Sequence, residues 1–226
     1  MKIIYLGQAG FCLEVDGKRI LIDPYLSDSV AKVEPQNYRR VPVAEEFLAI
    51  KPDVIVCTHN HLDHLDKETL ASYLGADSKV VCLSPFSGWK ELRQFGGSKN
   101  NYVMFNVGTE WTEGNVRFKA VKAVHSDEYA IGVIVYAEGS AYYFTGDTLY
   151  SQSVLENVGN EDLEAVFLPV NGKGNNMNFA DAKRFAIAIK ARHIVPIHIG
   201  LFDDLTAENW DCPNKVIPTI YQPIEL

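Results

Sequence analysis

Residues 58–66 read THNHLDHLD, so that His59, His61, Asp63 and His64 place four potential metal ligands within six positions. The apolar run Val54 to Cys57 comes immediately before it, and Asp66 can cap a helix through Leu74 immediately after. A helix cannot turn neighbours at i and i+2 to one side, whereas a loop between a strand and a helix can turn several inward. Imidazole with carboxylate and no thiolate suits zinc, manganese, iron or nickel in a catalytic site more than a closed structural site. The competing reading, a solvated loop that is histidine-rich by chance, does not explain the density.

The surrounding chain reads as alternating strands and helices. Ile3 to Leu6, Phe11 to Val15 and Arg19 to Ile22 form a meander with a turn at Asp16-Gly17. Lys79 to Leu83 is another strand, and Ser84-Pro85 supplies an N-cap with proline at the first helical position. Val116 to Val124, Gly132 to Tyr136 and Tyr142 to Thr145 are a second set, turned at Glu138-Gly139. Ala182, Phe185, Ala186 and Ile189 recur at i, i+3, i+4 and i+7, the apolar face of a helix capped by Asn178 or Asp181. Ile194 to Ile197 is the last buried strand. LEVDGKRILIDP and VIVYAEGSAYYFTGD are each strand, turn, strand and aspartate, which predicts a pseudo-duplicated architecture. No linker separates the halves, so residues 1–226 are expected to share one α/β domain.

Composition narrows the function. Of 226 residues, 47% are hydrophobic and 22% charged, an ordinary globular balance, and the formal charge of -8 repels polyanions. Nucleic acid is therefore a disfavoured partner. No apolar run approaches the ~18 residues of a membrane span, and the first residues enter a strand pattern rather than a signal peptide, so no membrane and a cytoplasmic location are expected. Cys12, Cys57, Cys82 and Cys212 form no CxxC pair; the three in apolar runs read as buried free thiols.

THNHLDHLD resembles the HxHxDH signature of the metallo-β-lactamase superfamily, and the order of that family continues along the chain. Asp23 closes ILIDP, His125 follows a strand in AVH, Asp147 sits in TGDT, and His198 follows VPI. Five of the six histidines thus fall at ligand positions, and His193 is left to structure. The resemblance implies a four-layer αββα sandwich and two divalent metal ions, zinc first, with manganese or iron as alternatives. By the same resemblance His59, His61 and His125 hold one ion, Asp63, His64 and His198 the second, and Asp147 bridges both. A water shared by two cations has its pKa drawn toward ~7, giving a nucleophile for a carbonyl or phosphoryl group. Asp63 and Asp147 are then the residues of the chemistry, Asp63 as ligand and proton shuttle. Asp23 orients the histidine loop or is a strand-end turn residue.

Leu65-Asp66 stands where many members carry glycine, so DHLD, with GDTLY and MNFADAKRFAIAIKARHIVPIH, resembles the branch that holds the L-ascorbate-6-phosphate lactonase. The chain is shorter than that lactonase before the first strand, so its substrate is not carried over. The expected function is a metal-dependent hydrolase of a small ester, lactone or phosphoester, with nucleic-acid phosphodiesterase or a non-catalytic metal-binding relative as alternatives. A flavin-linked di-iron oxidoreductase resembles HxExD at the signature and is disfavoured. The expected partner is a small molecule, an anion among the candidates, with homo-oligomers open. Asn171 to Asn178, including Lys173, could meet it, although a solvated turn is the simpler reading. Val30 to Val43 reads as a long loop flanking the cleft, where Arg39 and Arg40 could meet an anion and, after His125, Tyr129 could line the mouth.

Overall fold

The computed structural model describes residues 1–226. Its first half comprises β1 (Lys2–Gly7), β2 (Gly10–Val15), β3 (Lys18–Ile22), α1 (Glu45–Leu48), β4 (Val54–Val56), α2 (Lys67–Ala71), β5 (Val81–Ser84), α3 (Phe86–Phe95) and β6 (Asn101–Met104). The second half comprises β7 (Glu110–Glu113), β8 (Val116–Lys122), β9 (Ile131–Ala137), β10 (Ser140–Phe144), α4 (Gln152–Val158), β11 (Leu163–Pro169), α5 (Phe179–Ile189) and β12 (His193–Ile197). The strands form two six-stranded sheets, ordered β1-β2-β3-β4-β5-β6 and β12-β11-β10-β9-β8-β7. Each sheet begins with antiparallel hairpins and ends in parallel strands. That repeated plan bears out the pseudo-duplication.

Most strands are buried on both faces, which is why their sequences run apolar without interruption. Ile3 and Tyr5, Ile20 and Ile22, Val133 and Val135, and Phe167 point into the cluster between the sheets. Their neighbours Ile4 and Leu6, Leu21 and Ile55 point outward into a second cluster that takes in Leu70 and Leu92 of α2 and α3. Ile134, Val166 and Leu168 point into a third, with Val154 of α4 and Phe185 of α5. Helices thus cover both outer faces, and the four-layer αββα sandwich stands. At its centre Phe144 stacks on Phe167 with ring centroids 4.3 Å apart, and both meet Phe11 edge-on at 4.9 Å. No helix is long and apolar enough to cross a membrane.

The turns obey their residues: Asp16 and Gly17, then Glu138 and Gly139, all take positive φ in two-residue hairpins. Asn178, not Asp181, caps α5 by accepting from the amides of Ala180 and Asp181. One expectation needs correction at α3. Pro85 is itself the N-cap, in extended conformation, and Ser84 is the last residue of β5, its hydroxyl donating to the Cys57 carbonyl instead of capping. All four cysteines are free and buried.

Candidate metal centre

The centre lies where chains leave the carboxyl ends of strands, the place open α/β sheets offer to ligands. Asp23 follows β3, His59 to His64 follow β4, His125 follows β8, Asp147 follows β10 and His198 follows β12. Gly146 makes one of these approaches possible. Its φ is +57°, and a Cβ there would stand 2.8 Å from Thr58 Oγ1 and 2.9 Å from the Ile131 carbonyl. Only glycine lets the end of β10 come so near the histidine loop.

All seven residues expected as ligands converge. His59, His61 and His125 form one group, Asp63, His64 and His198 another, and Asp147 joins His59 and His64 in a third, each with ligand atoms within 4.8 Å of one another. His125 Nε2 is 3.1 Å from His61 Nδ1. His198 Nε2 is 3.3 Å from Asp63 Oδ2 and 3.2 Å from Asp147 Oδ1, and His64 Nε2 is 3.3 Å from Asp147 Oδ1. Of the potential ligand atoms, His59 Nε2, His64 Nε2 and Asp147 Oδ1 are buried and form no well-directed hydrogen bond, although the last two lie within ion-pair distance of each other. Leaving a buried polar atom poorly paired costs about 1–3 kcal/mol, more for a charged group, and these three, with ligand atoms within 4.8 Å of one another, converge on a space that a cation would satisfy. The donor set, five imidazoles and two carboxylates, fits two divalent ions.

The electrostatics agree. Burial, helped by neighbouring His64, pushes the His59 imidazole well down, into the neutral ligating form. Burial opposes charge on His64 and His198, yet Asp147 and Asp63 beside them hold His64 well above the usual histidine range and bring His198 up to about 9. Against the same burial, His64 and His198 keep Asp63 and Asp147 well below the usual carboxylate range. The raised imidazoles of His64 and His198 thus face the lowered carboxylates of Asp63 and Asp147, and a divalent ion ligated there would displace the imidazole protons.

Asp23, an open question from sequence, is fully buried and bonded to His64 Nδ1 at 2.8 Å, while Thr58 donates to it through its amide (2.7 Å) and hydroxyl (2.6 Å). It orients the histidine, leaving Nε2 to face the other potential ligands. The Asn-rich loop does more than the solvated turn expected of it. Asn176 Nδ2 donates to Asp147 Oδ2 at 2.8 Å, and Asn171 Nδ2 lies 2.9 Å from His198 Nδ1. Gln8, which the sequence reading passed over, donates to Asp63 Oδ2 at 2.9 Å. A glutamine between two glycines at the end of a strand was the available signal.

The centre opens into a cleft of about 750 Å³. Val33, Glu34 and Asn37 line it, so the 30–43 segment flanks the cleft as expected, and Lys173 and Asn175 line it as well. The two arginines are a correction. Arg39 donates to the Tyr25 carbonyl (2.7 Å) and the Tyr221 hydroxyl (2.6 Å), and Arg40 pairs with Asp204, so neither lines the cleft. Tyr129 is likewise absent from the cleft lining and packs on Phe86 at 5.2 Å. His193, 3.5 Å from Glu164, stands apart from the centre.

The sequence matches the family described as "Beta-lactamase superfamily domain" over residues 2–198. It is 29% identical over 247 aligned positions to a UPF0173 metal-dependent hydrolase of Thermoplasma acidophilum, covering 100% of this chain and 99% of the relative. It is 30% identical over 220 positions to a UPF0173 metal-dependent hydrolase of Pyrococcus furiosus, covering 92% and 88%. A possible metal-dependent hydrolase from Veillonella parvula shares the fold with a TM-score of 0.78 at 18% identity, over 100% of this chain and 99% of that one. A match that runs from the first strand to the last histidine of the centre, with relatives alike over nearly their whole length, makes this chain a member of the metallo-β-lactamase superfamily and, within it, of the UPF0173 metal-dependent hydrolase family.

Proposed function

We propose that the protein hydrolyses a small ester, lactone or phosphoester, using two divalent ions held by His59, His61 and His125 and by Asp63, His64 and His198, with Asp147 between them. The observation that carries this reading is the convergence of three buried ligand atoms, from His59, His64 and Asp147, none of which has a well-directed hydrogen bond. Ions held there would acidify a bound water and offset negative charge on the substrate, with zinc the first candidate and manganese or iron next. Asp63, ionised and partly exposed at the cleft floor, can take a proton from the attacking water and return it to the leaving group. Asn176 and Asn171 hold Asp147 and His198 in place while this happens.

The polar cleft favours a compact substrate with oxygen-rich groups. Lys173, exposed and 3.6 Å from Asp203, is loosely held and free to meet an anion. A lactone is the first class to try, because DHLD and GDTLY resemble the lactonase branch. A net charge of -8 speaks against nucleic acid, and the filled ligand set against a non-catalytic relative. Four unpaired thiols suit the reducing cytoplasm.

The test is metal content followed by a substrate screen. Protein purified without chelator and reconstituted with zinc, manganese or iron should carry about two ions per chain and hydrolyse members of a lactone and phosphoester panel. Asp147→Ala should lose that activity while keeping the circular dichroism spectrum of the parent. Failure to bind metal under every condition, or full activity in Asp147→Ala, would overturn the reading.

A further inference from the structure

Gln8 lies between β1 and β2 with φ +56°, in the left-handed region that strains a residue bearing a Cβ. It is 3% exposed, so a polar carboxamide is buried on a strained backbone beside the metal centre. Its carbonyl accepts from the His198 amide at 2.8 Å and from the Tyr5 hydroxyl at 3.0 Å. His198 has positive φ as well, +64°. On the side-chain end, Nε2 donates to Asp63 Oδ2 at 2.9 Å and stands 3.1 and 3.2 Å from the two ring nitrogens of His198. Asp63 and His198 belong to the same group of potential ligands, and the polar contacts of the Gln8 side chain are with these two alone.

We propose that Gln8 is a positioning residue that sets the affinity of the second metal position, the one offered by Asp63, His64 and His198, and leaves the first unaffected. The inference rests on the two-ion reading above. A carboxylate that ligates a cation must present one lone pair to it, and an amide N–H on the same oxygen fixes that direction, as hydrogen-bonded partners of ligands do in general. Asp63 has no other side-chain hydrogen-bond donor at this distance; the remaining neighbours of its carboxylate are the imidazoles of the group itself. The bonds to the Gln8 carbonyl are made by the main chain, so a replacement that keeps the left-handed turn separates the contribution of the amide from that of the turn.

Two replacements separate them. Gln8→Asn tolerates the left-handed backbone and is one methylene too short to reach Asp63. Gln8→Met keeps the length and removes the donor. Full-length parent and both variants, stripped of metal, would be titrated with Co(II) by calorimetry and visible absorption, and melted in chelator. Two binding events are expected in the parent. In the variants the first should keep its affinity and the second weaken about 10–100-fold, with the ligand-field spectrum of the second ion altered. Melting in chelator should stay within a few degrees of the parent. If one variant folds poorly, the other decides. A well-folded variant that binds both ions like the parent, or loses both equally, overturns the assignment of Gln8 alone. A parent that binds fewer than two ions overturns the two-ion reading and the assignment with it.

Discussion

Asp23 is fully buried and takes up two donors from Thr58 and the Nδ1 edge of His64, leaving His64 Nε2 to face the centre. Asp23→Asn would replace one acceptor oxygen with an N–H group facing donors. Metal affinity, measured by chelator competition, should fall about 10–100-fold without unfolding the protein, and parental affinity would count against this role. His198 supplies a pH prediction. Its pKa is brought up to about 9, against about 6.5 for an unfolded histidine. With no cation bound, its protonated form stabilises the fold fully below about pH 6.5, and that stability is lost as pH rises through about 9. Chelator-treated protein should therefore show a melting temperature that declines from pH 6.5 to 9.5, and saturating zinc, which displaces the proton, should flatten the decline. A chelated protein without the decline would rule this out.

Among the elements, those with a full apolar run or a clean helical period were legible: β1 to β5, β8 to β10, α5 and β12 follow the expected segments within two residues or so at each end. The edge strands were not. β6 (NYVM) and β7 (EWTE) carry polar residues and are partly exposed, and pairing with β5 and β8 makes them strands where local pattern does not. β11 is buried throughout, LEAVFLP, a run whose periodicity does not separate strand from helix. Two tests belong to this scale. Phe144→Ala, at the aromatic stack between the sheets, should cost about 3–5 kcal/mol in urea denaturation. Asn178→Ala removes the cap of α5 and should cost about 1 kcal/mol while leaving metal content unchanged. A cap loss that also emptied the centre would mean that α5 positions the Asn-rich loop.

Across the whole molecule, the last residues tie the two sheets together. The amide of Val216 donates to the Ile194 carbonyl on β12, and the amides of Tyr221 and Ile224 donate to the carbonyls of Tyr5 and Ile3 on β1. This segment covers one edge of each sheet, β1 and β12, whose unpaired backbone groups could otherwise recruit other chains. Tyr221 also stacks on Phe47 and accepts from Arg39, whose own segment runs on from the cleft residues Val33, Glu34 and Asn37. A chain ending at residue 213 should remain folded in part but associate, seen as concentration-dependent growth in light scattering, and should melt earlier. A monodisperse truncation of parental stability would show that the edges need no cover.

The local sequence settled the chemistry available and the loops that carry it. Histidines and aspartates placed just beyond apolar strands are legible because strand periodicity and loop position are short-range properties. Tertiary structure decided what those loops meet. Gln8, Asn171 and Asn176 join the centre, and Arg39 and Arg40 turn away from it, because sheet packing sets distances between residues far apart in the chain. A side chain's reach is a few ångströms, and which partners fall within it depends on the crossing of two sheets that no local pattern encodes.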